Sequence, residues 1–199
     1  MPLTEKTIQH PGKCIKNSNT LILVNASHPL SRQNITDLTP VDDAHPKILL
    51  RREAARALKR LLEASAAKDA IVPVSGYRTM EEQEDIYEKS RKENGEAFTR
   101  KYVALPGCSE HQTGLAIDLG LNQGEIDFIR PYFPYDGICG EFRKAAPEFG
   151  FVERYGRDKE EITGIAYEPW HFRYVGTPHA EIMTKKGMAL EEYAAFCLI

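Results

Sequence analysis

Between Gly114 and Gly120 the sequence Gly-Leu-Ala-Ile-Asp-Leu-Gly alternates without a break, placing Leu115, Ile117 and Leu119 on one face and Ala116, Asp118 and Gly120 on the other. That is a half-buried strand, and Asp118 points away from its apolar side. Trp170 to Val175 reads as a second strand, with Trp170, Phe172 and Tyr174 alternating with His171 and Arg173. Ile71-Val-Pro-Val-Ser75 is a third, short strand whose Pro73 suits an edge or a strand start. Leu21 to Val24 reads as the first strand of the chain, followed by a polar, proline-containing loop to about Pro46.

Helical patterns lie between these strands. From Pro46 to Ala67, Leu50, Ala54, Leu58, Leu61 and Ser65 recur at three- and four-residue steps with charges between them, the pattern of an amphipathic core helix. Thr79 and Glu82 have capping-box spacing, so a helix is expected from Met80 towards Glu93. This puts Arg78 at a strand-to-helix junction and Gln83 one turn inside the helix. Residues 121–140, rich in Gly, Pro and aromatics, read as a long loop, a lid or a binding wall. Glu141 to Phe149 reads as a short helix interrupted near Pro147, and two helical stretches after Pro178 and Gly187 close the chain.

With 199 residues, 42% of them hydrophobic, and no repeat or linker, a single domain over residues 1–199 is expected. A chain of this size needs no metal to hold its core, so a metal would serve function. Lys and Arg number 26 against 29 Asp and Glu, without a long run of either sign, which argues against a nucleic-acid partner. No apolar run approaches the roughly 20 residues of a membrane span, and the N-terminus lacks the features of a secretory signal. The four cysteines, Cys14, Cys108, Cys139 and Cys197, form no CxxC pair. Reduced thiols and a cytoplasmic location are expected.

Two of the six histidines stand in company that suggests chemistry. His111 lies in a turn seven residues before Asp118, and His171 follows Glu168 by three residues, where Pro169 argues against a helix. Two histidines and an aspartate suit a catalytic zinc that keeps its fourth position for water. Glu168, tethered close to His171, could move protons, and Arg78 could face the oxyanion formed when water attacks an amide. On spacing alone, Glu168 and His171 read equally well as a surface pair, and Arg78 as a partner for the acidic helix after it. Cys108 and His111 have CxxH spacing, but a structural zinc would want a second close pair. A serine nucleophile at Ser109 lacks both a Gly-x-Ser-x-Gly elbow and a Ser-x-x-Lys motif.

Three ordered blocks resemble one family. Ser109 to Asp118 fits Ser-x-His-x-x-Gly-x-Ala-x-Asp, Glu168-Pro-Trp-His171 fits Glu-x-x-His, and Ser75-Gly-Tyr-Arg78 followed by Gln83 resembles a third block of the D-alanyl-D-alanine metallopeptidases. Val103 to His111 and Glu161 to Val175 look most like the bifunctional D,D-dipeptidase/D,D-carboxypeptidases of vancomycin resistance. The resemblance covers most of residues 45–195 and leaves 1–20 as a variable segment. It implies one Zn2+ held by His111, Asp118 and His171, with Glu168 as general base and acid and Arg78 stabilising the tetrahedral intermediate. Ser109 and Gln83 would bind a small peptide substrate. The implied fold is α+β, a small antiparallel sheet bearing the zinc with helices packed on its back. The implied reaction is hydrolysis of D-Ala-D-Ala, free or at the end of a peptidoglycan precursor. A pure D,D-carboxypeptidase, an endolysin-like peptidase, and a non-catalytic zinc-dependent binding domain like the hedgehog signalling domains stand as alternatives.

Overall fold

The computed structural model describes residues 19–30 and 35–197. Most of the variable segment, and Cys14 with it, lies outside the described residues. A small antiparallel hairpin comes first, β1 (Leu38–Pro40) on β2 (Leu49–Arg51), and leads directly into α1 (Arg52–Ala64). The helix expected from Pro46 thus starts later. Leu50 is buried as its periodicity implied, but from a strand, because residues 49–51 pair with residues 38–40. Ala54, Leu58 and Leu61 of α1 are buried as expected.

The main sheet joins β3 (Ile71–Ser75), β4 (Ala116–Leu121), β5 (Phe151–Tyr155) and β6 (Glu168–Tyr174) in the order β3-β4-β6-β5, all antiparallel. Pro73 sits on an edge strand, where its missing N–H breaks no ladder on the outer side. The sheet's back is covered by α1 and by α4 (Gly137–Ala145). Their Leu58, Leu61, Cys139 and Phe142 join Leu115, Ile117, Leu119 and Phe172 in one core. Phe133, Phe142 and Phe172 meet edge to face, with centroids 5.2–5.8 Å apart. A second cluster gathers α6 (His179–Lys186) and α7 (Leu190–Cys197) around Val152 and Val175, with Leu21.

The long loop is shorter than expected, because α4 begins at Gly137, and Pro147 falls in a 3-10 turn, Ala146–Phe149, that follows it. Leu21 to Val24 is not a strand. The carbonyls of Thr20 and Ile22 accept from the Arg173 guanidinium at 3.0 and 2.8 Å, so a side chain takes the place of a ladder. On the open side of the sheet stand α2 (Met80–Asn94), with the expected Thr79–Glu82 capping box, and α3 (Glu96–Tyr102). A one-turn helix, α5 (Glu160–Thr163), precedes β6. Among the described residues no helix is long and apolar enough to cross a membrane.

Candidate active site

The two central strands place the site. In the β4–β6 ladder Asp118 lies directly opposite His171, while Ile117 opposite Phe172 faces the core. The third member, His111, comes from a 3-10 turn, Glu110–Thr113, immediately before β4. Gly114 ends this turn at φ +69°, a left-handed conformation that favours glycine. One ligand atom from each of His111, Asp118 and His171 lies within 4.8 Å of the others, and all three residues are buried.

The hydrogen bonds fix which atoms face inward. His111 Nδ1 lies 2.7 Å from the Gly76 carbonyl, which can only accept, so Nδ1 carries the proton and Nε2 presents a lone pair. Gly76 is required at this point, because a Cβ there would lie 2.4 Å from the Leu49 carbonyl oxygen. His111 Nε2 faces Asp118 Oδ2 at 3.1 Å. Burial, with Arg78 adding to it, pushes His111 down to about 4, so at neutral pH two acceptors confront each other. A cation between them resolves that conflict. His171 Nδ1 lies 2.9 Å from Asp118 Oδ1. Ligand atoms of a tetrahedral zinc, each about 2.0–2.1 Å from the ion, sit about 3.3 Å apart, close to both separations. The donor set and its spacing fit zinc.

The charges around the site are set by burial and by partners. Burial opposes the charge on Asp118, but His111 and His171 hold its carboxyl below the usual range. His171 is raised to about 9: burial works against its proton, and hydrogen bonds to Asp118 and Glu110 more than offset it. Glu168 is pushed up to about 8, chiefly by burial. Its carboxylate lies 3.8 Å from His171 Nδ1. By strict alternation Glu168 would share the face of Trp170 and Phe172. The register to β5 shifts between Glu153↔Phe172 and Tyr155↔Glu168, so four steps of β6 oppose two of β5. This irregularity, between Glu168 and Phe172, lets Glu168 line the same cavity as His171.

Arg78 is held at three points: Nε donates to Ser75 Oγ at 2.9 Å, Nη1 to Gln83 Oε1 at 3.3 Å and Nη2 to Asp118 Oδ2 at 3.0 Å. Gln83 Nε2 in turn donates to the Ala104 carbonyl at 2.8 Å, so this amide spans two elements. All seven residues expected from the sequence, Arg78, Gln83, Ser109, His111, Asp118, Glu168 and His171, line one cavity of about 50 Å³. Phe128 and Ile129 of the long loop form part of its wall, and Trp170 separates it from a broader depression of about 620 Å³ beside Tyr132, Tyr135 and Tyr167. Sequence reasoning missed Glu110 and Tyr155. The first reaches His171 Nε2 at 3.4 Å, and the ring of the second lies 4.8 Å from that of His171. Neither carries a periodic signal, since Glu110 is in a turn and β5 is buried on both faces.

A family model for D-alanyl-D-alanine carboxypeptidases, VanY, matches residues 47–177, which span the whole site. The chain belongs to this family. Among curated VanY relatives, the bifunctional D-Ala-D-Ala dipeptidase and carboxypeptidase VanXYC of Enterococcus gallinarum is 47% identical over 88% of this chain and 93% of its own. A D-alanyl-D-alanine carboxypeptidase of Enterococcus faecalis is 35% identical over 87% of this chain and 65% of its own. Among solved structures, the vancomycin-resistance D,D-dipeptidase VanXYg, bound to a D-Ala-D-Ala phosphinate analogue, is 62% identical. It covers 90% of this chain and 71% of its own, with a TM-score of 0.88. A variant of the VanY D,D-pentapeptidase from a VanB-type resistance cassette, in complex with Zn(II), is 32% identical. It covers 88% of this chain and 99% of its own, with a TM-score of 0.72. The α+β architecture is the one these VanY-family enzymes share.

Proposed function

We propose that this chain is a zinc D,D-peptidase that cleaves the D-Ala-D-Ala bond both in the free dipeptide and at the C-terminus of peptidoglycan precursors. Such cleavage removes the target of vancomycin. The observation that carries the reading is the meeting of His111, Asp118 and His171 with Glu168 and Arg78 in one buried cavity. Kinship with a bifunctional dipeptidase and carboxypeptidase at 47% identity supports both substrates.

His111 through Nε2, Asp118 through its carboxylate and His171 through Nδ1 would hold a single zinc ion. Bound there, zinc lowers the pKa of its water towards about 7 and polarises the scissile carbonyl. Glu168 takes the proton of the attacking water and delivers it to the departing D-alanine nitrogen, a task for which a carboxyl pushed up to about 8 is suited. Arg78, locked by Ser75, Gln83 and Asp118, faces the oxygen on which negative charge develops. Ser109 binds the terminal carboxylate of the substrate, and Gln83 contributes to the pocket by holding Arg78. The chain acts as one domain, in the cytoplasm, where its thiols stay reduced.

The test is metal analysis paired with hydrolysis of D-Ala-D-Ala and of a precursor pentapeptide. The expected result is one zinc per chain and turnover of both substrates, abolished by chelation and restored by zinc. Hydrolysis that persists in metal-free protein refutes the metal reading. Turnover of the pentapeptide alone reduces the activity to a D,D-carboxypeptidase.

A further inference from the structure

Beside His171 Nε2 lies a buried ion cluster that the proposed reaction does not use. Glu110 is 1% exposed, Arg154 2% and Arg173 fully buried. Arg154 Nε donates to Glu110 Oε1 at 2.8 Å, and Arg173 Nη1 pairs with the same oxygen at 2.9 Å. With both guanidinium groups on Oε1, the other oxygen, Oε2, faces His171 Nε2 at 3.4 Å. Arg154 Nη2 also donates to Glu191 Oε1 at 2.7 Å, and that oxygen accepts from Asn25 Nδ2 at 3.1 Å. The cluster thus runs from the metal site through β5 and β6 to α7 and the segment around Asn25.

Stability alone does not account for such a cluster. Burying several charges carries a desolvation cost that ion pairing only balances, and apolar residues of similar volume often serve a core as well or better. What an ionised carboxylate supplies, and an apolar side chain cannot, is an acceptor for a ring N–H. With the Arg154 and Arg173 guanidinium groups both directed at Oε1, Glu110 presents its other oxygen to His171 as an acceptor. His171 Nε2 must then carry a proton, which leaves Nδ1 to face Asp118 and the cavity. We propose that Glu110 is a positioning residue for the metal centre, fixing the tautomer and ring orientation of His171 while Arg154 and Arg173 fix Glu110. A single short turn, Glu110–Thr113, then governs both histidines: His111 belongs to it, and His171 is held by its first residue. A carboxylate behind a metal-bound imidazole raises the basicity of the ligand and fixes its direction.

The inference rests on the zinc reading above, and its test separates the two. Zinc affinity is measured by chelator competition on wild-type protein and on Glu110→Gln, with thermal melting of both metal-free proteins alongside. The expected result is about 10- to 100-fold weaker zinc binding in folded Glu110→Gln. Wild-type protein that binds no zinc removes the zinc reading itself. Tight wild-type binding that Glu110→Gln matches within about twofold overturns the positioning role and leaves the reaction intact. Because a variant in a buried ion cluster can fail to fold, zinc-loaded wild-type protein is also examined by 15N NMR of its histidines. The expected signature is a protonated, slowly exchanging Nε2 on His171 with the metal shift on Nδ1. An Nε2 that carries the metal shift, or a ring proton exchanging at solvent rates, overturns the proposal.

Discussion

Replacing Glu168 with Gln separates proton transfer from metal binding. The carboxylate lies 3.8 Å from His171 Nδ1 and outside the three-residue ligand set, so an amide of the same shape should leave the zinc in place. Positioned acid–base groups contribute about 10²–10⁴ in rate. The surroundings indicate the upper part of that range, because the described carboxylates beside Glu168 are already paired. Asp118 is committed to both histidines and to Arg78. Glu110 lines the same cavity but is held by two arginines. We therefore expect Glu168→Gln to lose about 10³–10⁴ in kcat on both D-Ala-D-Ala and a pentapeptide, equivalent to about 4–5.5 kcal/mol at 1.36 kcal/mol per decade. The assay is steady-state hydrolysis on protein whose zinc content has been measured by atomic absorption. A variant with full zinc and more than a tenth of wild-type kcat would refute the assignment of the proton shuttle. Loss of zinc would show instead that Glu168 is a ligand.

Two further perturbations probe the frame around the site. Arg78→Lys keeps the charge but cannot span Ser75, Gln83 and Asp118 at once. Its kcat should fall about 10²–10³-fold, as when a donor to an oxyanion is removed, and a fall of less than tenfold in steady-state assays counts against the role. Gly76→Ala puts a Cβ 2.4 Å from a backbone oxygen that cannot swing away, so thermal and urea melts should report about 1–3 kcal/mol of lost stability. Zinc affinity should fall as well, because the Gly76 carbonyl orients His111. Unchanged melting would mean that the hairpin strand β2 yields at no cost.

The sequence displayed the proposed ligand set because such residues and the core announce themselves by the same period. Leu115, Ile117 and Leu119 had to be buried together, which left Asp118 on the other face, and the aromatic residues at 170, 172 and 174 did the same for His171. The capping box at Thr79 and Glu82 fixed the start of α2 by purely local chemistry. What sequence missed was non-local. The strand β5 carries Arg154 at a buried position that only partners from the 110 turn and from α7 make tolerable, so the segment shows no clean alternation. Leu21 to Val24 has strand composition, yet Arg173 occupies the carbonyls of Ile22 and of Thr20 just before it. Glu168 reaches the cavity because β6 is irregular between Glu168 and Phe172, where strict alternation would have placed it on the wrong face.

That irregularity also explains how one strand can present both His171 and Glu168 to the cavity. A regular strand displays residues i and i+2 on one face, and residues three apart on opposite faces. His171 and Glu168 are three apart, so an unbroken β6 would keep His171 in the cavity and turn Glu168 into the core, where its charge would be unpaired. A helix would bring i and i+3 together, but Pro169 disfavours one, and the ladder to β4 that sets Asp118 against His171 would be lost. The solution adopted keeps the ladder to β4 in register from Ala116 to Asp118 and takes up the extra residues on the β5 side alone. In the proposed mechanism, metal geometry depends on the regular side of the strand and proton delivery on the irregular one. The spacing Glu-x-x-His is therefore readable as chemistry only together with the proline and with the neighbour that tolerates the bulge.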